Sequence, residues 1–426
     1  MGKEQPSATE THTGPRVDTT RYARPALVVA FPESIALPVP LPGEPVGRDW
    51  FESHGLVDGR VSTRHAIFSR PGGGLFLEDA QSRNGVWVNG FRLGPKERVS
   101  LDDGAIIRIG RTLLVYREAF LGDDRPSPPL GKLVGPYGLR EVTEEIFAIA
   151  ASRPTNVLIV GETGTGKELV ARALAERARP GKEYGVINVA GVPPGVFESQ
   201  LFGYVRGAYS GSGAGSRGFF LAHDGGSVFL DEIGELAPEL QAKLLRLLDN
   251  REVLAVGADK PRSVDLLVIS ATNRVLRDAV KKGAFQQDLL ARLEAARIEL
   301  PPLRERPEDL YAIMCAIVAA RGGRLSSDHV EVEAVERLML EPWPSNVREL
   351  ASVIEHVARI APPPELPLAA LLRVLGPRPG LPSGRTTALT MDLVQQAIRE
   401  TGSVAGAARR LGVTRAKVKR FLESHS

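Results

Sequence analysis

Two short stretches hold residue types suited to phosphate chemistry. "GETGTGKE" (residues 161–168) follows the apolar run "NVLIV", opens a helical pattern and matches G-x-x-x-x-G-K at Gly161, Gly166 and Lys167. In such a loop the backbone amides of Gly161, Glu162, Thr163, Gly164, Thr165 and Gly166 turn toward a phosphate. The helix start adds positive potential, and Lys167 reaches the terminal phosphates of a nucleotide. Glu168 stands where Ser or Thr usually contacts Mg²⁺, so the metal must lean on other ligands. "SVFLDE" supplies them: an apolar strand ends in Asp231, suited to hold Mg²⁺ through its water shell, and Glu232, suited to polarise an attacking water.

These stretches need elements to hold them. At 426 residues the chain is long enough for about three domains. No run of about 18 apolar residues exists, so no membrane span or membrane partner is expected. Residues 1–26 lack the apolar core of a signal peptide and read as a polar, disordered leader, with a cytoplasmic location following by default. A single cysteine, Cys315, excludes an internal disulfide or a cysteine metal cluster and, in the apolar run "YAIMCAIVAA", reads as a buried helix residue rather than a nucleophile. The net charge of +3 is unevenly spread, for residues 401–426 carry six Arg or Lys against Glu423 alone.

Two proline-rich stretches, 121–136 and 361–387, divide the chain. Before the first, short apolar runs ("GLFLED", "GVWVNG", "AIIRIG") alternate with "PGGG", "NG" and "DDG", the rhythm of an all-β sandwich. Between the two, strands alternate with helical patterns, which predicts an α/β domain with a parallel sheet. Beyond the second, the pattern is short and helical.

The motif order then resembles a known family. "GETGTGKE", "ESQLFGYVRGAYSGS", "DGGSVFLDEIGEL", "VISATN", "IELPPLRERPEDL" and "WPSNVREL" are similar, in order and spacing, to the AAA+ P-loop ATPase domain, with helical lid, of bacterial enhancer-binding proteins that activate sigma-54 RNA polymerase. The likeness covers residues 133–361 and implies ATP and Mg²⁺ as cofactors and a homo-oligomer, from dimer to hexameric ring. In that family a glutamate follows the phosphate-loop lysine, which accounts for Glu168. The resemblance further implies that Asn188 couples Glu232 to nucleotide state, that Asn273 is a sensor, and that Arg348 reads nucleotide from the lid. Arg292 would reach the neighbouring subunit's ATP, where a guanidinium stabilises charge developing on the γ-phosphate. The loop Gly207, Ala208, Tyr209, Ser210, Gly211 and Ser212 corresponds to the family's "GAFTGA", which touches sigma-54; composition alone is equally that of a flexible linker. Gln286 occupies a place where the family usually has a second arginine, and Gln200, Tyr204 and Val205 also depart from its pattern.

The flanking modules bear resemblances of their own. "VGRDW", "VSTRHA" and "DAQSRNGVWVNG" resemble a forkhead-associated domain over residues 27–120, an all-β sandwich that binds phosphothreonine peptides. This implies that Arg48 forks onto phosphate oxygens, Ser62 and Thr63 donate hydroxyl hydrogen bonds, Asn84 fixes the peptide backbone and His65 braces the loop. Its partner would be a phosphothreonine-containing protein, a Ser/Thr kinase or its substrate. Residues 388–426 resemble a Fis-type α-helical helix-turn-helix, with Arg415, Lys417 and Lys419 facing DNA enhancer sites. Residues 121–132 and the proline-rich 362–387 are expected as linkers. The whole resembles a transcription activator; the alternative is a DNA-binding regulator whose AAA+ domain senses nucleotide, or sets oligomeric state, without engaging sigma-54.

Overall fold

A computed structural model describes residues 23–190, 194–208 and 215–376, with six further residues between 391 and 422. Tyr209, Ser210, Gly211, Ser212, Arg415, Lys417 and Lys419, and residues 1–22, lie outside the described residues. No described helix is long and apolar enough to cross a membrane.

The N-terminal sandwich is built from β1 (Arg24–Phe31), β2 (Ile35–Pro38), β3 (Pro45–Val46), β4 (Ala66–Ser69), β5 (Leu75–Asp79), β6 (Val86–Val88), β7 (Phe91–Arg92), β8 (Arg98–Leu101), β9 (Ile106–Ile109) and β10 (Thr112–Phe120), with α1 (Arg48–Ser53) after β3. One antiparallel sheet runs β2-β1-β10-β9-β6-β7 and the other β3-β4-β5-β8. Alternating positions such as Leu27, Val29, Phe68, Leu77 and Ile107 bury the space between them.

Next come α2 (Arg140–Ala151), β11 (Asn156–Val160), α3 (Lys167–Ala178), β12 (Tyr184–Asn188), α4 (Pro194–Phe202), α5 (Phe219–Ala222), β13 (Ser227–Asp231) and α6 (Pro238–Asn250). The short hairpin β14 (Glu252–Val253) and β15 (Arg262–Ser263) precedes β16 (Leu267–Thr272), α7 (Leu276–Lys281), α8 (Gln287–Leu293) and β17 (Arg297–Glu299). The sheet is ordered β12-β13-β16-β11-β17 and is parallel throughout, so the loops after β11, β13 and β16 emerge at one edge. Its strands are near-continuous apolar runs because helices cover both faces. A helical lid follows: α9 (Leu310–Ala319), α10 (Val332–Met339), α11 (Asn346–Ile360) and α12 (Leu368–Leu375).

Three boundaries differ from those expected. Residues 24–26, placed in the leader, belong to β1, where Arg24 and Ala26 pair with Phe120 and Arg117. Residues 121–132 are tied down rather than free: Arg140 donates to the carbonyls of Leu121 and Arg125, and Leu130 pairs with Leu133. Part of the second proline-rich stretch is α12, which buries Ala370 and Leu371 against the lid and so lengthens it.

The sandwich and the lid share one core. Phe31, Ile106, Leu113 and Val115 join Leu310, Tyr311, Val335 and Leu338 in a single apolar cluster, and the rings of Phe31 and Tyr311 meet edge to face at 4.9 Å. Arginines from the sandwich close the rim. Arg108 stacks on Trp87 and lies 2.8 Å from carboxylates of both Glu333 and Glu336, while Arg111 donates to the Ser327 carbonyl. Arg117 grips Glu308 bidentately, at 3.1 and 2.5 Å, and donates to the Glu305 carbonyl. Burial pushes the Glu336 carboxyl up to about 6, against the pull of Arg108.

Candidate functional site

The phosphate loop hangs between β11 and α3, and its tightest point is a glycine. At Gly164 φ is +78°, and a Cβ would lie 2.2 Å from the Ser345 carbonyl oxygen of the lid, so no side chain fits. Lys167 is buried in the first turn of α3, its Nζ donating to the carbonyls of Gly161 (3.0 Å) and Glu162 (3.1 Å). Burial holds its pKa below the usual lysine value, opposed by the nearby charges of Asp231 and Glu232. A cation poised over anions and loop carbonyls is prepared to receive a polyphosphate.

Asp231 ends β13, and its Oδ1 accepts the Glu232 amide at 3.0 Å. Glu232 itself has φ of +58°, a left-handed conformation that costs a residue with a side chain about 1–3 kcal/mol. That turn takes the chain from the strand directly into the 3₁₀ turn Ile233–Glu235. Asn273, just past β16, donates from Nδ2 to the Thr163 hydroxyl at 2.9 Å, which brings the expected sensor onto the phosphate loop. Asn188 is paired in register with Asp231 across β12 and β13, and its side-chain oxygen accepts the Ala190 amide. Arg348 is exposed in the first turn of α11, with its Cβ 3.0 Å from where a Cβ at Gly164 would stand. Glu168 is exposed one residue beyond Lys167.

Arg292 lies apart from this group. It is exposed on α8 and paired at 2.5 Å with Asp249 of α6. Gln286 precedes α8, and its amide donates to the Gln241 side chain. For the expected sigma-54 loop, only the stem and the first two residues are described: Tyr204 pairs with Ser216, the Ala208 amide donates to Val205, and Gly207 has φ of +83°.

The lid contributes contacts that sequence reasoning missed. Asn346, fully buried and at φ of +53°, donates to the Thr163 carbonyl (3.0 Å) and to Glu162 (3.1 Å), and accepts the Leu303 amide. Arg304 forks onto Glu162 at 2.7 Å through both terminal nitrogens and holds that carboxyl below its usual range. Buried Arg306 donates to the Thr165 carbonyl. Of the residues in "LPPLRERPEDL" and "WPSNVREL" the resemblance gives a role to Arg348 alone; Arg304, Arg306 and Asn346 are further polar residues of the same two stretches.

The tip of the sandwich forms a second constellation. The Ser62 amide donates to Nδ1 of buried His65, whose Nε2 is 3.1 Å from the Gly85 carbonyl, which defines a neutral ring protonated on Nε2. Burial lowers the His65 pKa in keeping with that state. The Ser62 hydroxyl accepts the Arg83 amide, Asn84 donates to the Arg60 carbonyl, and Arg48 is bonded by its amide to Ser62 and by its guanidinium to the Val61 carbonyl. Gly47 permits this closeness, since a Cβ there would lie 1.7 Å from the Thr63 oxygen. Arg48, Ser62 and Asn84 are thus brought together, with Thr63 exposed beside them.

Known families match the sandwich, the α/β domain and the lid. Residues 137–299 match the Sigma-54 interaction domain, residues 46–110 the FHA domain and residues 304–379 the AAA+ ATPase lid domain. The transcriptional regulatory protein ZraR of Klebsiella oxytoca is 37% identical over 307 residues, 68% of this chain and 68% of its own length. The chain belongs to the sigma-54-dependent transcriptional regulators. Within that family, the uric acid regulator UacR of Escherichia coli, itself described as putative, is 40% identical over 250 residues, 58% of this chain and 42% of UacR. The chain spans about half the length of several of the curated relatives it matches. Among solved structures, NtrX of Brucella abortus in complex with ATP has 26% identity and a TM-score of 0.51, covering 68% of this chain and 69% of NtrX. As a sigma-54-dependent regulator with an FHA domain, the chain joins a domain of an ATPase family to a sandwich of a phosphoprotein-binding family.

Proposed function

We propose that this chain is a transcription activator in which ATP hydrolysis by an AAA+ ring remodels sigma-54 RNA polymerase, under control of a phosphothreonine-reading domain. The observation that carries it is the grouping of Lys167, Asp231, Glu232 and Asn273 at one sheet edge, closed by the lid, within a Sigma-54 interaction domain. Lys167 holds the terminal phosphates, and Arg348 approaches them from the lid. Glu232 accepts the proton of the attacking water, Asn188 and Asn273 orient the groups around it, and Arg292 leaves Asp249 to serve the neighbouring subunit's site.

Mg²⁺ in nucleotide sites is commonly held by one or two carboxylates together with the substrate's own phosphates. Asp231 fits that part, since one of its oxygens is committed to the Glu232 amide and the carboxylate stands near Lys167. Magnesium, when bound, neutralises charge on the phosphates.

Control by the sandwich has a physical route. The segment 303–309 touches the phosphate loop through Arg304 and Arg306 and the sandwich through Glu308. On this reading Arg48, Ser62, Thr63 and Asn84 receive the phosphothreonine of a kinase or kinase substrate, residues 207–212 touch sigma-54, and Arg415, Lys417 and Lys419 bind enhancer DNA. Gln286 favours the alternative, a DNA-binding regulator that senses nucleotide without engaging sigma-54, because it removes one of the two trans arginines. Glu232→Gln tests the core of the proposal. It should bind ATP with wild-type affinity while turnover falls roughly 10²- to 10⁴-fold, the range for loss of a general base. Wild-type turnover would remove Glu232 from the chemistry.

A further inference from the structure

Thr163 of the phosphate loop is gripped from two sides. Its hydroxyl accepts from Asn273 at the sheet edge, and its carbonyl accepts from Nδ2 of Asn346, the first residue of α11. The same Nδ2 donates to Glu162 at 3.1 Å, and Oδ1 of Asn346 accepts the Leu303 amide at 2.7 Å. One fully buried side chain thus ties together the phosphate loop, the segment that opens at Leu303, and the lid. The next residue repeats the clasp with backbone, the Val347 amide donating to the Gly164 carbonyl at 3.0 Å.

The chemistry of the clasp calls for an amide. Both groups that Nδ2 meets on the loop are acceptors, while the Leu303 amide needs an acceptor in return, so a side chain that donates at one end and accepts at the other completes all three. Glu162 is anionic at neutral pH, its carboxyl held below the usual range by Arg304 first and by Asn346 in addition. A carboxylate in place of the amide would therefore face both a carbonyl and a negative charge. Asn346 holds φ of +53°, a left-handed conformation that asparagine adopts more readily than most residues with a side chain. Arg348, the lid arginine nearest the loop, lies two residues further on, so the clasp fixes its distance from the phosphates.

We propose that Asn346 is a positioning residue for the nucleotide: it latches the lid onto the phosphate loop, so that ATP affinity depends on how much of the protein holds the lid closed. This rests on the ATP reading of the site. A latch that is open part of the time lowers apparent affinity by the fraction still closed. The test joins calorimetric titration of ATP, steady-state ATPase rates and amide hydrogen exchange, all on the full chain, for N346D, N346G and N346D/E162Q. N346D keeps the acceptor toward Leu303 and loses the donor toward the loop. It should weaken ATP roughly tenfold in both Kd and KM while kcat stays within about threefold, because saturating ATP closes the lid again. Without nucleotide, exchange of the Val347 amide should quicken. N346G takes the left-handed backbone without strain and should show the same split between KM and kcat. N346D/E162Q should regain part of the lost affinity, since the opposing charge is gone. Wild-type Kd and KM in both single variants overturn the latch, as does a fall in kcat with Kd intact. A lowered unfolding midpoint with ATP affinity unchanged in the folded protein makes Asn346 a structural residue and overturns it too. Failure of the wild-type chain to bind ATP overturns this inference and the reading beneath it.

Discussion

Arg117→Ala is expected to destabilise the joined sandwich and lid by about 3–5 kcal/mol, the usual cost of stripping the partner from a buried charge. Glu308 is 4% exposed and receives two of its hydrogen bonds from Arg117, and the Glu305 carbonyl loses its donor as well. Removing the guanidinium leaves the carboxylate desolvated with nothing forked onto it. Chemical denaturation of the full chain reads the loss as a lowered midpoint. The double variant R117A/E308Q should recover much of it, because no bare charge is then left behind. If Arg117→Ala unfolds at the wild-type midpoint, the contact is a rim pair of little consequence.

Lys167→Ala should weaken ATP binding by roughly 10²-fold, as loss of a charge-assisted contact of about 1.5–3 kcal/mol implies. The side chain is buried and donates to carbonyls of its own loop, so the variant also loosens the loop it completes. Calorimetric titration separates this from Glu232→Gln, which should bind normally. Undiminished affinity in Lys167→Ala would place the nucleotide elsewhere.

The grouping of Lys167, Asp231, Glu232 and Asn273 proposed as the nucleotide site was legible because these residues sit at fixed offsets inside strand-loop-helix units, and the sheet delivers them to one edge. The union of sandwich and lid was not. Arg108, Arg111 and Arg117 look like the solvent face of alternating strands, whereas they pair with lid carboxylates and a lid carbonyl. The clue lay beside them: 26–31 and 113–116 are unbroken apolar runs, as strands buried on both faces require. Helix α12 was hidden by flanking prolines, although Leu368, Leu371, Leu372 and Leu375 follow helical spacing. Asn346 passed unnoticed because a buried asparagine in a left-handed conformation is a tertiary fact, fixed by the loop it clasps.

Capture of purified sigma-54 polymerase by the full chain, in the presence of an ATP transition-state analogue and a phosphothreonine peptide, tests the central claim most directly. The wild-type protein should retain sigma-54 with the analogue and release it without, and Tyr209→Ala should bind ATP and DNA yet retain none. Failure of the wild-type protein to capture sigma-54 under those conditions would contradict the account and leave a regulator that senses nucleotide.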